Sequence, residues 1–445
     1  MTNVTRREAL GLGAGFASLW LAACGGGAAP AEPEATDGTE ATDGAEAGGI
    51  LATIQGMSDD EVTAALMAAT NEHINLSGIT DPNQADRSDI AKGWPHTPGT
   101  PIKIGWTEMS QANPWFVAVK NSAEQTAKDY GYDINFQIAE NDVATQSGQV
   151  DNFIQLGVDV IVIDPCDVSA CAKDIERAVE AGIPVICIGS APSKATNAPI
   201  LTTLSDNAYE VGYAAGKYAG STFAGTDINM ACVPGQLGNT SAEARVCGIV
   251  GGLIAAKMEE NGVFTTDDAA KYASDLLWQD LKSAGKADFP EIGLHILAYG
   301  EGQWSEEGGL AAAEPILTAN GANLNLMVAD NEFQCFGILR AIENAGLTGQ
   351  IQVGTCADGT NVALQRIADG EMLMSGSWNG DQQGSWTIHF IHAMFEEGKD
   401  PNNLPFESFF EPKTFTKENA ADWINSDPNA TFFAVPEFEF PKSIA

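Results

Sequence analysis

From residue 102 onward, short uninterrupted apolar runs alternate with longer stretches of helical character. The runs fall at 102–107, 134–138, 158–163, 184–188 and 201–204, and a second series at 228–233, 292–298, 324–329, 351–354 and 372–377. Helix-like segments fill the gaps, at about 115–130, 143–156 and 168–181 in the first series. In the second they fall near 207–221, 240–260, 303–319, 331–346 and 359–369. The apolar runs do not alternate in polarity, which indicates strands covered on both faces. Repeated strand–helix units of this size build a parallel sheet wrapped by helices. The pattern therefore predicts an α/β protein with two Rossmann-like lobes. Ligands of such sheets bind beyond the carboxyl ends of the strands, so two facing lobes would present those ends across a cleft.

The chain before residue 102 reads differently. Arg6 and Arg7 precede an uncharged stretch over 9–23 that closes on Leu21-Ala22-Ala23-Cys24. This reads as an export signal rather than structure. The paired arginines resemble a twin-arginine signal, although Ala9 stands where a bulky apolar residue is favoured, and a general secretory signal is the alternative. Leu-Ala-Ala-Cys resembles the bacterial lipobox, which implies cleavage before Cys24 and a lipid on its sulfur. Residues 25–49 contain only Gly, Ala, Pro, Glu, Thr and Asp and repeat Ala-Thr-Asp-Gly at 35–38 and 41–44. Such a composition builds no core, and a flexible linker of this length spans about 25–30 Å. Residues 50–100 read as a helical N-terminal extension, where Ser58-Asp59-Asp60-Glu61 has capping-box spacing. A Pro/Gly-rich connector over 93–101 leads into the main body.

Composition narrows the function. Asp and Glu total 60 against 22 Lys and Arg, for a net charge of −38 in 445 residues. That balance repels phosphate backbones and excludes nucleic acid as a partner. It also weakly disfavours anionic ligands. Seven cysteines follow Cys24. An odd number leaves at least one thiol outside any intramolecular disulfide. Cys187, Cys232 and Cys356 lie in apolar runs as small core residues; Cys166/Cys171 and Cys232/Cys247 are the pairs an oxidising compartment would allow. No Cys-x-x-Cys or His-Glu-x-x-His spacing suggests zinc, so neither metal nor cofactor is expected. No Gly-x-Ser-x-Gly elbow occurs. His389 and His392 lie three apart on a predicted helix without accompanying ligands. These features argue against an enzyme.

Motifs in order along the chain point to one family. Ala112-Asn113-Pro114-Trp115-Phe116 follows the first strand, Gly182-Ile183-Pro184-Val185 leads into the fourth, and Ser205-Asp206-Asn207 ends the fifth. Then come Thr240-Ser241, Arg245-x-x-Gly248, Asp330-Asn331, Asp358-Gly359 and Asp381-Gln382-x-Gly384. Over residues 101–420 this series resembles the ribose/galactose-type periplasmic sugar-binding proteins, solute-binding components of ABC importers with the type I periplasmic-binding fold. The resemblance implies discontinuous lobes joined by a three-strand hinge. Lobe 1 would take 101–206 plus 379–408. Lobe 2 would take 207–378 plus 409–445, the latter including a tail with Phe432, Phe433, Phe438 and Phe440.

A sugar or polyol needs flat rings against its C–H faces and planar polar groups around its hydroxyl rim. By the same resemblance, Trp115, Phe116, Trp304 and Trp378 would supply the rings, Trp378 in place of a usual amide. Asn113, Asn331 and Asp358 would hold hydroxyls. Each polar residue also has a plain structural role open to it: Asn113 and Asp358 as helix N-caps, Arg245 as a brace for a nearby carboxylate. Glu108 and Asp164 end two strands and are further candidates. The chain departs from the family after the fourth strand. Gly189-Ser190 stands where an Asp-Arg pair is usual, and Cys247 falls where an Arg is frequent. These departures predict a pocket poorer in guanidinium and richer in indoles, for either a less polar or larger ligand than a simple pentose or a different hydrogen-bond set using Ser190 and Gln111.

The resulting expectation is an exported lipoprotein, anchored at Cys24 and facing the periplasm or cell exterior. It would capture a small neutral solute, a sugar or polyol, by hinge closure. As a monomer it would deliver that solute to the membrane permease of an ABC importer; the chain has no phosphate-binding loop of its own. A ligand-sensing receptor for a membrane kinase or chemoreceptor, or a binder of nucleosides or another solute, is the alternative.

Overall fold

The computed structural model describes residues 49–72, 97–263, 266–402 and 404–442. The export signal, Cys24, nearly all of the linker and residues 73–96 of the extension lie outside the described residues.

The described chain opens with α1 (Ile50–Gln55) and α2 (Asp59–Glu72). The first βα series runs β1 (Lys103–Glu108), α3 (Pro114–Tyr130), β2 (Asp133–Ile138), α4 (Val143–Leu156), β3 (Val160–Ile163), α5 (Cys171–Glu180), β4 (Val185–Ile188) and β5 (Thr202–Asp206). The second continues with α6 (Ala208–Thr222), β6 (Ile228–Val233), α7 (Thr240–Glu260), α8 (Asp267–Ala284), β7 (Ala287–Phe289) and β8 (Leu294–Tyr299). It ends with α9 (Glu306–Asn320), β9 (Leu326–Ala329), α10 (Glu332–Asn344), β10 (Gln352–Gly354), α11 (Asn361–Asp369) and β11 (Ser375–Gly376). Then α12 (Gly380–Phe395) and β12 (Glu407–Phe410) return to the first sheet, followed by β13 (Thr414–Phe415) and α13 (Ala420–Trp423).

The first sheet is wholly parallel, in the order β12-β5-β4-β3-β1-β2. The second has the order β10-β9-β6-β8-β7, with only β7 antiparallel. In β3 and β4 every residue is buried, Val160–Ile163 and Val185–Ile188 alike. That double-sided burial is why these strands carry unbroken apolar runs. The sequence pattern leaves 261–291 unassigned, and α8 and β7 occupy most of it. Thr266 caps α8 by accepting from the Ala269 N–H. Leu277, Trp278 and Leu281 turn the helix's apolar face into the second core.

The capping-box spacing acts as expected. Ser58 N donates to Glu61 Oε2 at 2.8 Å and Glu61 N to Ser58 Oγ at 3.3 Å. Ile54 and Val62 then join the second lobe's core, and Thr63 Oγ1 donates to Asp268 on α8. The extension is therefore a layer of the second lobe.

Three crossovers connect the lobes, at 206–207, 377–379 and 411–413. Ser377 ties them together. Its hydroxyl donates to Asp206 Oδ1 at 2.7 Å and accepts from Lys413 N at 3.0 Å, and its N–H donates to the Lys413 carbonyl at 3.0 Å. Burial pushes the Asp206 carboxyl up to about 7, against the opposing pull of Ser377 and Arg245. The folded chain thus keeps a proton on Asp206 that the unfolded chain releases near pH 4. Its stabilising contribution is full below about pH 4 and is lost as pH rises through 7. Asp206→Asn is expected to flatten this fall in stability, read as the urea midpoint between pH 4.5 and 8. An unchanged slope would remove Asp206 from that account.

The tail, expected with the second lobe, touches both. Phe433 sits in the second lobe's core, with Phe415. Phe432 joins the first lobe's core. Phe438 and Phe440 stack on His389 and Phe390 of α12 at 5.5 and 5.1 Å. The first sheet also keeps β12 as far as Phe410. His389 and His392 form hydrogen bonds through Nδ1 to the hydroxyls of Tyr130 and Tyr132. All seven cysteines in the described chain are free thiols, so neither expected disulfide pair forms. Cys247 instead contacts the Ser274 hydroxyl at 3.5 Å, and Cys171 the Val168 carbonyl at 3.5 Å. No helix among the described residues is long and apolar enough to cross a membrane.

Candidate functional site

The carboxyl ends of both sheets face one cavity. All nine residues singled out for ligand contact line it: Asn113, Trp115, Phe116 and Ser190 from the first lobe, Arg245, Trp304, Asn331 and Asp358 from the second, and Trp378 from a crossover. Asp164 also lines it, whereas Glu108 lies buried behind. Gln111 does not line it; its amide donates to the Phe116 carbonyl at 3.1 Å.

Asn113 has both roles open to it from sequence. As N-cap of α3, its Oδ1 accepts from Trp115 N at 2.9 Å and Phe116 N at 3.4 Å. Pro114 at the first helical turn fixes the entry, and Trp115 and Phe116 follow in that same turn. Their rings meet edge to face at 5.2 Å. Asn331 caps α10 in the same way, accepting from Gln334 N at 3.0 Å. The amides of Asn113 and Asn331 both reach the Trp304 carbonyl, at 3.5 and 3.4 Å. One backbone oxygen of the second lobe thus takes a donor from each side of the cleft.

Trp304 follows β8 in a loop where both Gln303 and Trp304 have left-handed backbone, φ 50° and 51°. That conformation is unfavourable for large side chains and collects at functional sites. Trp304 Nε1 donates to Asp330 Oδ2 at 2.8 Å. Its indole lies so close over Gly235 that a Cβ there would come within 2.2 Å.

The backbone around Asp358 is held by Glu332, whose carboxylate accepts from Gly359 N and Thr360 N, each at 2.8 Å. Asp358 itself is 1% exposed. Arg245, on α7, is 4% exposed and stacks on Trp378, with its guanidinium carbon 3.8 Å from the ring centroid. The pocket was expected to be poorer in guanidinium, with Cys247 at the usual Arg position and Arg245 among the candidates. Cys247 faces away into the second lobe's core, and Arg245 supplies the guanidinium two residues earlier. One helical turn carries both residues on different faces, which residue-by-residue matching does not resolve.

Gly189 explains the other departure. Its φ is +66°, and a Cβ at this position would stand 2.8 Å from Asp164 Oδ1. The carboxylate comes from the end of β3, and β4 gives up its side chain to make room. Parallel register pairs Thr107 with Ile163, so Glu108 and Asp164 emerge side by side. They are hydrogen-bonded to each other. Burial, then its neighbour's charge, raises Glu108 well above the carboxylate range; burial raises Asp164 to about 6. Burial likewise raises Asp330 to about 6 and Asp358 well above its ordinary range, while Arg245 pulls both down.

Sequence reasoning did not single out Met109, Asn239 or Ser241 as lining residues. Asn239 Nδ2 donates to Ser190 Oγ at 3.1 Å, and Ser190 and Ser241 hydroxyls lie 3.3 Å apart. These bonds join the lobes across the cleft, so the lobes are closed. The signal was the Thr240-Ser241 motif opposite Gly189-Ser190.

Several polar atoms in the lining have no protein partner despite full burial: Trp115 Nε1, Arg245 Nε and Asp358 Oδ2. Two donate and one accepts or, protonated, donates. Such atoms are costly unless something polar meets them. The cavity is therefore built for a small molecule with ring-covering apolar faces and hydrogen-bonding groups of both kinds.

Comparison with known proteins agrees with this architecture. The ribose import binding protein of Bacillus subtilis is 25% identical over 266 residues, covering 60% of this chain and 72% of that protein. The ribose import binding protein of Escherichia coli is 24% identical over 296 residues, 66% of this chain and 85% of that one. An ABC transporter periplasmic solute binding protein from Actinobacillus succinogenes, solved with bound D-allose, superposes with a TM-score of 0.58 at 24% identity, over 73% of this chain and all of that one. The model of the periplasmic binding protein domain matches residues 104–400, a span that holds every lining residue of the cavity and both sheets except β12 and the first residue of β1, and the chain belongs to that family.

Proposed function

We propose that this protein is an extracytoplasmic solute-binding lipoprotein that captures a sugar or polyol by closure of its lobes and delivers it to the permease of an ABC importer. The observation that carries the reading is the pairing, in one interlobe cavity, of four aromatic rings with unpartnered buried polar atoms. Rings suit the C–H faces of a polyol, and the polar atoms suit its hydroxyls. The curated relatives named for ribose import support the transport role. Asn113, Trp115, Phe116, Ser190, Arg245, Trp304, Asn331, Asp358 and Trp378 would contact the ligand. The Cys24 lipid would hold the protein, acting as a monomer, at the membrane surface.

Three indoles line the cavity. Addition of the correct aldose or polyol is therefore expected to change tryptophan emission in a saturable way, and mass spectrometry of solute released from natively purified protein should identify the same compound. No response across a broad panel of aldoses and polyols, with no such solute released, would overturn the reading.

A further inference from the structure

The charges around the cavity are unbalanced, and the imbalance is local. Among the described residues, Arg245 is the only Lys, Arg or His in the lining. It faces the second lobe and hinge: it donates to the Asp330 carbonyl at 3.4 Å and acts electrostatically on Asp206, Asp330 and Asp358. On the first-lobe side, Asp164 lines the cavity with Glu108 buried behind it, and no basic side chain among the described residues joins them in the lining. Asp164 is 2% and Glu108 0% exposed. Glu108 is already occupied on its far side, accepting from Trp106 Nε1 and Met109 N, each at 3.2 Å. The buried Oδ2 of Asp358, across the same cavity, has no hydrogen-bond partner among the described residues.

We propose that the preferred ligand carries a protonated amino group among its hydroxyls, seated against Asp164 and the ring faces of the cavity. The inference rests on the polyol reading and narrows it to amino-substituted polyols or sugars. A neutral hydroxyl gains only a hydrogen bond from Asp164. An ammonium group gains a charge-assisted bond there and attraction to the adjoining rings. The stacking of Arg245 on Trp378 shows that the cavity already places a cation on an aromatic face. The unpartnered Trp115 N–H requires an acceptor, which the ligand's hydroxyls supply.

The test is calorimetric titration of the intact mature protein at pH 7 with matched pairs: D-glucosamine and D-glucose, D-galactosamine and D-galactose, D-mannosamine and D-mannose. In the pair that binds best, the amino sugar is expected to bind about tenfold or more tighter, in line with the added strength of a charged hydrogen bond. Asp164→Asn should erase most of that preference, read as the ratio of the two affinities within one pair measured on the same variant. Glu108→Gln, which keeps a donor facing Asp164 and leaves the Asp164 carboxylate in place, should retain the preference. Equal or tighter binding of the hydroxyl member, or a preference untouched in Asp164→Asn, overturns the amine and leaves the polyol reading standing. If no member of any pair binds and the polyol panel is also silent, both fall together.

Discussion

Arg245→Met is expected to lower stability by about 3–5 kcal/mol at pH 8, the usual penalty for stripping the partner from buried charge. Methionine keeps the apolar stem of the side chain and removes the guanidinium, and with it the stack on Trp378. Arg245 holds down the carboxyls of Asp206, Asp330 and Asp358, all raised by burial. Without it they rise further. The folded state then binds protons more strongly than the unfolded chain over a wider range, so stability falls more steeply as pH increases. The loss should therefore be much smaller at pH 5, where these groups are protonated with or without Arg245. Urea unfolding of both proteins at the two pH values measures this, and an equal loss at both would show that packing, not charge, is what Arg245 provides.

Trp304→Ala should weaken binding of the eluted solute by about 30-fold or more, the scale of truncating a central aromatic anchor. Position 304 has φ 51° whichever of the two residues occupies it, and its carbonyl still receives the Asn113 and Asn331 amides. The change therefore reads the ring rather than the backbone. Trp304→Phe keeps a flat face but loses the indole bond to Asp330, and should fall between the two. If alanine binds as tightly as wild type in calorimetry, the indole serves only to pack the lobes together.

The parts of this fold legible in the sequence are those where one physical demand dominates. Strands such as Val160–Ile163 are buried on both faces and can hardly be polar. Asn113 and Pro114 mark a helix start, and strand-end positions carry the site because parallel sheets open there. Less legible were features set by two segments at once. The Glu108–Asp164 pair follows from register between β1 and β3, which neither strand states alone. Gly189 reads as a lost side chain until Asp164 is seen to need its space. β12 and the tail have no period to detect, because their partners lie far away in sequence: β12 pairs with β5, and Phe432 bridges to Thr360.

The placement of Phe432 and Phe433 has a mechanical consequence. These neighbours in sequence are fixed in different cores, one in each lobe, and consecutive Cα atoms are only about 3.8 Å apart. The Phe433 carbonyl is further pinned by the Asn379 side chain, at 2.8 Å. When the jaws part, they cannot slide away from each other at this point unless a phenyl ring is pulled into water. The single peptide between the two rings thus limits how far the lobes can separate at the point where the tail crosses between them.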